Sequence, residues 1–164
     1  MSLRNFKCLI IVYSYHHKNT EKIASTFSVV MNADVKAPEK VIASELEGYD
    51  LIGFGAGIDS GRHYKPLLDL VDSLPNVNKR ASFIFSTSAI QGETKVKNDH
   101  ARLRQLLESK GYKVVGEFSC KGFNTNSFLK YFGGMNKGRP DREDLRHAEE
   151  FALNLIKDMI GDIS

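Results

Sequence analysis

The run Ser14-Tyr15-His16-His17-Lys18-Asn19-Thr20 places hydroxyls, imidazoles, an amine and an amide in seven consecutive positions. It follows an apolar run and leads into a segment of helical period, so its far end opens onto a helix N-terminus. Such a terminus exposes N–H groups without intrahelical acceptors, together with the positive end of the helix dipole; a phosphate is its natural guest. Ser14, Asn19 and Thr20 can add side-chain donors. A helix cap alone would need one such residue, not seven. His16 and His17 have no third ligand at metal spacing, so they are read as phosphate-facing donors, not as metal ligands or acid–base catalysts.

The loop contains no glycine. A P-loop needs GxxxxGK[ST] and a dinucleotide fold needs GxGxxG at this place, so both are excluded. A receiver domain would need carboxylates here to hold Mg²⁺, and Ser14–Thr20 has none. What these residues suit is a compact monophosphate ligand.

Three further groups could carry chemistry. Gly53-x-Gly55-x-Gly57 lies within and after a strand, with the wrong continuation for a nucleotide fingerprint; it offers either close approach to a planar ligand or room for packing. Ser86-Thr87-Ser88 lacks the GxSxG elbow of a hydrolase and reads as a strand-end loop offering donors. Cys8 and Cys120 sit far apart in sequence without a CxxC or a paired-His motif, which makes a reducing, cytoplasmic setting the default.

The elements that position these groups alternate along the chain. Phe6–Tyr13 is a continuous apolar run that suits a strand covered on both faces. Thr20–Met31 follows as a helix with Ile23, Ala24, Phe27, Val30 and Met31 on one face. Ala33–Lys36 and Asp50–Ala56 give the second and third strands, and Tyr64–Ser73 a helix with Leu67, Leu68 and Val71 inward and Pro66 in its first turn. Arg80–Thr87, a helix over Val96–Lys110 ending at Gly111, and the strand Tyr112–Cys120 come next. Asp141 caps a last helix, Asp141–Ile160, with Leu145, Ala148, Ala152, Leu155 and Met159 inward. Lys121–Pro140 is too long for a plain connection and is a candidate functional loop. This alternation defines a three-layer, doubly wound α/β fold around a five-stranded parallel sheet, in which ligands sit at the carboxyl ends of the strands where the winding reverses.

Val12-Tyr13-Ser14-x-x-x-x-Asn19-Thr20-Glu21-Lys22-Ile23-Ala24 resembles the phosphate loop of the flavodoxin family, a Ser/Thr-rich stretch ending in Gly-Asn-Thr-Glu. Gly55-Ala56-Gly57-Ile58-Asp59 resembles that family's loop along one flavin face. Phe85-Ser86-Thr87-Ser88-Ala89 resembles the loop whose backbone meets the pyrimidine side of the ring. Cys120–Thr125 and Asn136–Pro140 are similar to elements of a flavodoxin-like subgroup. The resemblance covers residues 5–160 and implies strand order 2-1-3-4-5 and FMN as cofactor. It implies binding through Ser14, His16, Lys18, Asn19, Thr20, Gly57, Ile58, Asp59, Ser86, Thr87, Ser88, Ala89 and Phe123, with no catalytic or metal-binding residue. Lys18 departs from the usual glycine. No tryptophan is present to stack on the ring, which leaves Tyr64 or Phe123 to substitute.

The resemblance implies electron transfer, with a redox partner protein or a small electron acceptor. Two alternatives stay open: an FMN-dependent NAD(P)H/quinone-type oxidoreductase, and a flavin-free interaction domain of the same fold. Arg62, His63, Lys65 and Lys121 are expected at the cleft mouth, where positive charge favours a reduced, anionic flavin. The chain, 164 residues with a net charge of +3, is read as one domain, its first four residues an extraneous or disordered start. Mild net charge predicts no nucleic-acid partner, with Lys130, Lys137, Arg139 and Arg142 a solvated face. No apolar run reaches the ~20 residues of a membrane span, and the expected protein is a monomer or homodimer.

Overall fold

Strands that are apolar on both faces bury themselves only when helices cover both sides of their sheet, and this requirement sets the architecture. The computed structural model describes residues 5–15, 18–122 and 136–163. In chain order it has β1 (Cys8–Tyr13), α1 (Asn19–Met31), β2 (Asp34–Lys36), β3 (Leu51–Asp59), β4 (Arg62–His63), α2 (Lys65–Ser73), β5 (Arg80–Ser88), α3 (Glu93–Ser109), β6 (Tyr112–Lys121) and α4 (Arg142–Ile163). The parallel strands run in the order β2-β1-β3-β5-β6, with β4 pairing only with β3. The five expected strands and their order are present; β4 is an addition.

That addition has a local cause. The third strand does not stop at Ala56 but continues to Asp59 and folds back, pairing Ile58 with His63 and Asp59 with Arg62 in antiparallel register. The two turn residues, Ser60 (φ 53°) and Gly61 (φ 80°), are both left-handed, as a two-residue hairpin of this hand requires. Gly57, Ile58 and Asp59 are therefore strand residues rather than a loop.

Alternation along the strands splits the core in two. Cys8, Ile10, Val12, Phe83 and Phe85 face α1 and α4, where Phe27 makes edge contacts with Phe83, Phe85 and Phe118 at ring-centroid distances of 5.6, 5.1 and 5.7 Å. Leu9, Ile11, Ile52, Phe54 and Ile84 face α2 and α3, against Leu67, Val71, Leu103 and Leu107. A bulge interrupts the β5–β6 register: Ser82 pairs with Val114, but Phe83 pairs with Gly116. The extra residue, Val115, reverses the facing of the strand beyond it, so Glu117 and Ser119 share the α3 side with Ile84 and Ser86. At the start of α4, the Asp144 N–H donates to Asp141 Oδ1 (2.9 Å) and the Asp141 N–H to Asp144 Oδ2 (2.8 Å), a reciprocal cap.

Candidate functional site

The winding reverses between β1 and β3, so the tips of these strands and the start of α1 form one recess. Lys18 precedes α1 with φ 52° and ψ 34°, in the left-handed region, and among the described residues no side chain caps this helix. The backbone there needs what glycine supplies freely, and lysine holds it at a cost. Lys18 itself is exposed and lies 3.8 Å from Glu21. Ser14 is half-buried at the end of β1, while Asn19 and Thr20 are buried. The Thr20 hydroxyl is held by Thr87 Oγ1 at 2.8 Å. The Asn19 amide packs against Gly122, where an added Cβ would meet Nδ2 at 2.8 Å.

Gly53 and Gly55 turn out to serve the core. A Cβ at Gly53 would stand 2.2 Å from the Phe83 ring, and one at Gly55 would stand 2.2 Å from the Phe85 ring. Gly57 differs: the Tyr64 ring lies over it, 2.7 Å from where a Cβ would be. Tyr64 also meets Tyr13 and Tyr15 at centroid distances of 5.8 and 6.0 Å, an aromatic group at the tips of β1 and β3. Tyr64 thus stands beside the recess. Phe123, His16, His17 and Lys130 lie outside the described residues.

Ser86, Thr87 and Ser88 are the last residues of β5, not a loop, and their hydroxyls are engaged inside the protein. Ser86 Oγ lies 2.7 Å from His100 Nε2 and donates to Ser119 Oγ at 2.9 Å. Ser88 donates to the Ile90 carbonyl (2.9 Å), and Gln91 Nε2 donates to Ser88 Oγ (2.6 Å), Ser119 Oγ (3.1 Å) and the Cys120 carbonyl (3.1 Å). Asn136 Nδ2 donates to the Ala89 carbonyl at 2.7 Å, tying the end of the last connection to the β5–α3 loop. A ligand at this edge therefore meets main chain around Ala89 more than serine hydroxyls.

Behind the β5 tip lies a polar group with no counterpart in the sequence reading. His100 Nδ1 is 2.8 Å from Glu117 Oε1, and Arg104 grips the same carboxylate at 2.7 and 2.8 Å. Burial opposes ionisation of Glu117, but the hydrogen bonds from His100 and Arg104 overcome it and hold the carboxyl down at about 2. Ser86, His100 and Glu117 have the contacts of a nucleophile–base–acid set, yet Ser86 is 1% exposed and His100 fully buried, so no substrate reaches them. Helical spacing could have revealed His100, since 96, 100, 103 and 107 share one face of α3; Glu117 depended on the bulge.

His63, expected at the mouth, is buried. Its Nε2 lies 3.0 Å from the Phe85 carbonyl, and its ring centroid is 5.0 Å from that of His100. Burial and then the His100 charge push its pKa down to about 3, so it adds no positive charge. Arg62 remains exposed and Lys65 pairs with Asp69 at 2.6 Å. Of the proposed basic face, Arg139 instead binds Asp144 through two hydrogen bonds. Both cysteines are free and buried, with thiols pushed up to about 12 chiefly by burial. Among the described residues, no group of three or more His, Cys, Asp or Glu is placed to hold a metal, and no helix is long and apolar enough to cross a membrane.

The sheet order and the recess at its switch point define a flavodoxin-like α/β domain. The chain belongs to the flavodoxin domain family, whose family model matches residues 10–152. It is 45% identical over 151 residues to an uncharacterised protein of Methanocaldococcus jannaschii, covering 92% of this chain and 99% of that protein. Oxidised flavodoxin 2 of Bacillus cereus shares the fold with a TM-score of 0.70 at 20% identity, covering 93% of this chain and 99% of that one. A flavodoxin from the domain Archaea does so with a TM-score of 0.65 at 16% identity, covering 94% and 99%.

Proposed function

We propose that this protein binds one FMN at the carboxyl edge of its sheet and serves as an electron carrier. The observation that carries the reading is the start of α1. Among the described residues no side chain caps it, and Lys18 precedes it in the left-handed region with φ 52°. An anionic phosphate would suit both the N–H groups that a helix N-terminus presents and the positive end of its dipole. Membership of the flavodoxin domain family supports the same ligand.

The main-chain amides from Lys18 to Thr20 would hold the phosphate, with the Ser14 hydroxyl beside them. Thr20 contributes through its amide, since its hydroxyl belongs to Thr87. Tyr64, over Gly57, bounds one flank of the ring site, and the main chain around Ala89 bounds the pyrimidine side. Bound FMN supplies reversible one- and two-electron chemistry; the protein supplies position, exclusion of water and charge.

The test compares FMN with riboflavin by fluorescence titration. The parent should prefer FMN by at least about tenfold, ~1.4 kcal/mol or more, and a Ser14→Ala variant should lose part of that preference. Equal affinity for the two ligands in the parent would remove the phosphate site.

A second reading, an oxidoreductase with its own small substrate, is favoured by a cavity of about 390 Å³ beside Tyr64, lined by Arg62, His63, Lys65, Leu68 and Arg102 among others. Turnover of NAD(P)H with added quinone, without a partner protein, would support it over the carrier.

A further inference from the structure

The connection from β5 to α3 runs over residues 89–92, just beyond the β5 tip. It flanks the recess, because β5 pairs with β3 as far as Thr87 opposite Gly57, and the Thr87 hydroxyl meets Thr20 of α1. Side chains fix the main chain of this connection. Asn136 Nδ2 donates to the Ala89 carbonyl at 2.7 Å, and the Gly122 carbonyl lies 3.5 Å from the same nitrogen. Both facing atoms are carbonyl oxygens, which only accept, so the Asn136 amide has one satisfactory orientation. The Ser88 hydroxyl likewise donates to a carbonyl, that of Ile90, at 2.9 Å.

Asn136 is itself anchored. Its φ of 59° is left-handed, a conformation that asparagine tolerates better than most side chains. Its carbonyl accepts from the Arg139 N–H at 3.0 Å, and Arg139 binds Asp144 in the first turn of α4. The Gly122 N–H donates to the Ser88 carbonyl at 3.0 Å, joining the ends of β5 and β6. The Ala89 carbonyl is therefore held toward the β6 side of β5 by fixed partners.

In a trans peptide the N–H points opposite to the carbonyl. The Ile90 N–H belongs to the same peptide as the Ala89 carbonyl, so it is turned away from β6, toward the β3 side where the recess lies. Among the described residues this N–H has no acceptor. It is a directed donor at the rim of the recess.

We propose that Asn136 is a positioning residue for the flavin ring: by pinning the Ala89 carbonyl it presents the Ile90 N–H to an acceptor on the pyrimidine side of the ring. This rests on the FMN reading above and adds to it a residue that acts on the ring and not on the phosphate.

Binding and NMR test it. Asn136→Gly removes the side-chain amide and leaves the left-handed backbone unstrained. It should weaken FMN and riboflavin by the same factor, about three- to tenfold, with the preference for FMN intact. Unchanged affinity, or weakening of FMN alone, overturns the proposal. In the flavin-free protein the same substitution should move the Ala89 carbonyl ¹³C signal upfield; an unmoved signal overturns it too. If the variant does not fold, the parent decides. FMN should then shift the Ile90 amide proton downfield, and a proton that stays in place sinks the inference. A parent that prefers FMN to riboflavin while these tests fail sinks this inference alone. A parent that binds neither flavin sinks the proposed function, and the role of Asn136 with it.

Discussion

Lys18 shows how one residue can bear on both stability and binding. It holds φ 52°, a conformation that costs an L side chain about 1–2 kcal/mol relative to glycine. Part of that cost is offset in the unfolded chain, where glycine is the freer residue. Lys18→Gly should therefore raise stability by about 0.5–1 kcal/mol in urea unfolding of the flavin-free protein; a loss of stability would show that the lysine side chain contributes more than its backbone costs. The sequence made the position visible, because lysine stands where the family's loop has glycine. It placed His100 on the inward face of α3 at best and did not reveal its hydrogen-bonded partners, which come from β5 and β6 and meet it only in the folded chain.

Among the elements, close approaches decide which glycines matter. Gly111 follows α3 with φ 94°, and a Cβ there would fall 1.7 Å from the Val77 carbonyl oxygen, which is main chain and cannot swing aside. Gly111→Ala should cost about 3 kcal/mol, combining left-handed strain with the backbone shift. Gly55→Ala meets the Phe85 ring instead, and should cost about 1–3 kcal/mol as an overpacked core. Thermal unfolding of the two variants ranks them; a milder effect at Gly111 would count against this ordering. Element types and inward faces were legible from periodicity, as Phe27, Leu67, Leu103 and Ala152 illustrate. The β3–β4 hairpin was less so, because Ser60 is an unusual residue for a left-handed turn position. The bulge at Val115 left no pattern either, being fixed by pairing with β5 rather than by local preference.

For the whole molecule, the buried His63 and the partly exposed Glu117 set the response to acid. The His63 pKa is lower in the fold, at about 3, than its ordinary 6.5, so the unfolded chain binds a proton that the native one refuses. The stability this contributes is complete above about pH 6.5 and is lost as pH falls toward 3. Glu117 is likewise lowered, from 4.5 to about 2, and its contribution is lost between those values. Stability should therefore fall steadily below about pH 6.5, with His63 contributing at most ~1.4 kcal/mol per pH unit. His63→Gln, which keeps a donor for the Phe85 carbonyl, should flatten the curve between about pH 6.5 and 4.5; an unchanged slope would remove His63 as the cause. The strand order was readable because right-handed crossovers leave few alternatives. The fate of the strand-end hydroxyls was not, since which of them face inward depends on where β5 ends.

A phosphate-bearing flavin in the recess at the start of α1 underlies the proposed carrier role, and the purified protein answers for it. After incubation with excess FMN and passage over a desalting column, the protein fraction should keep flavin absorbance at about one FMN per chain, identified by mass, while a riboflavin control washes out. A colourless protein fraction, or equal retention of riboflavin, would refute it.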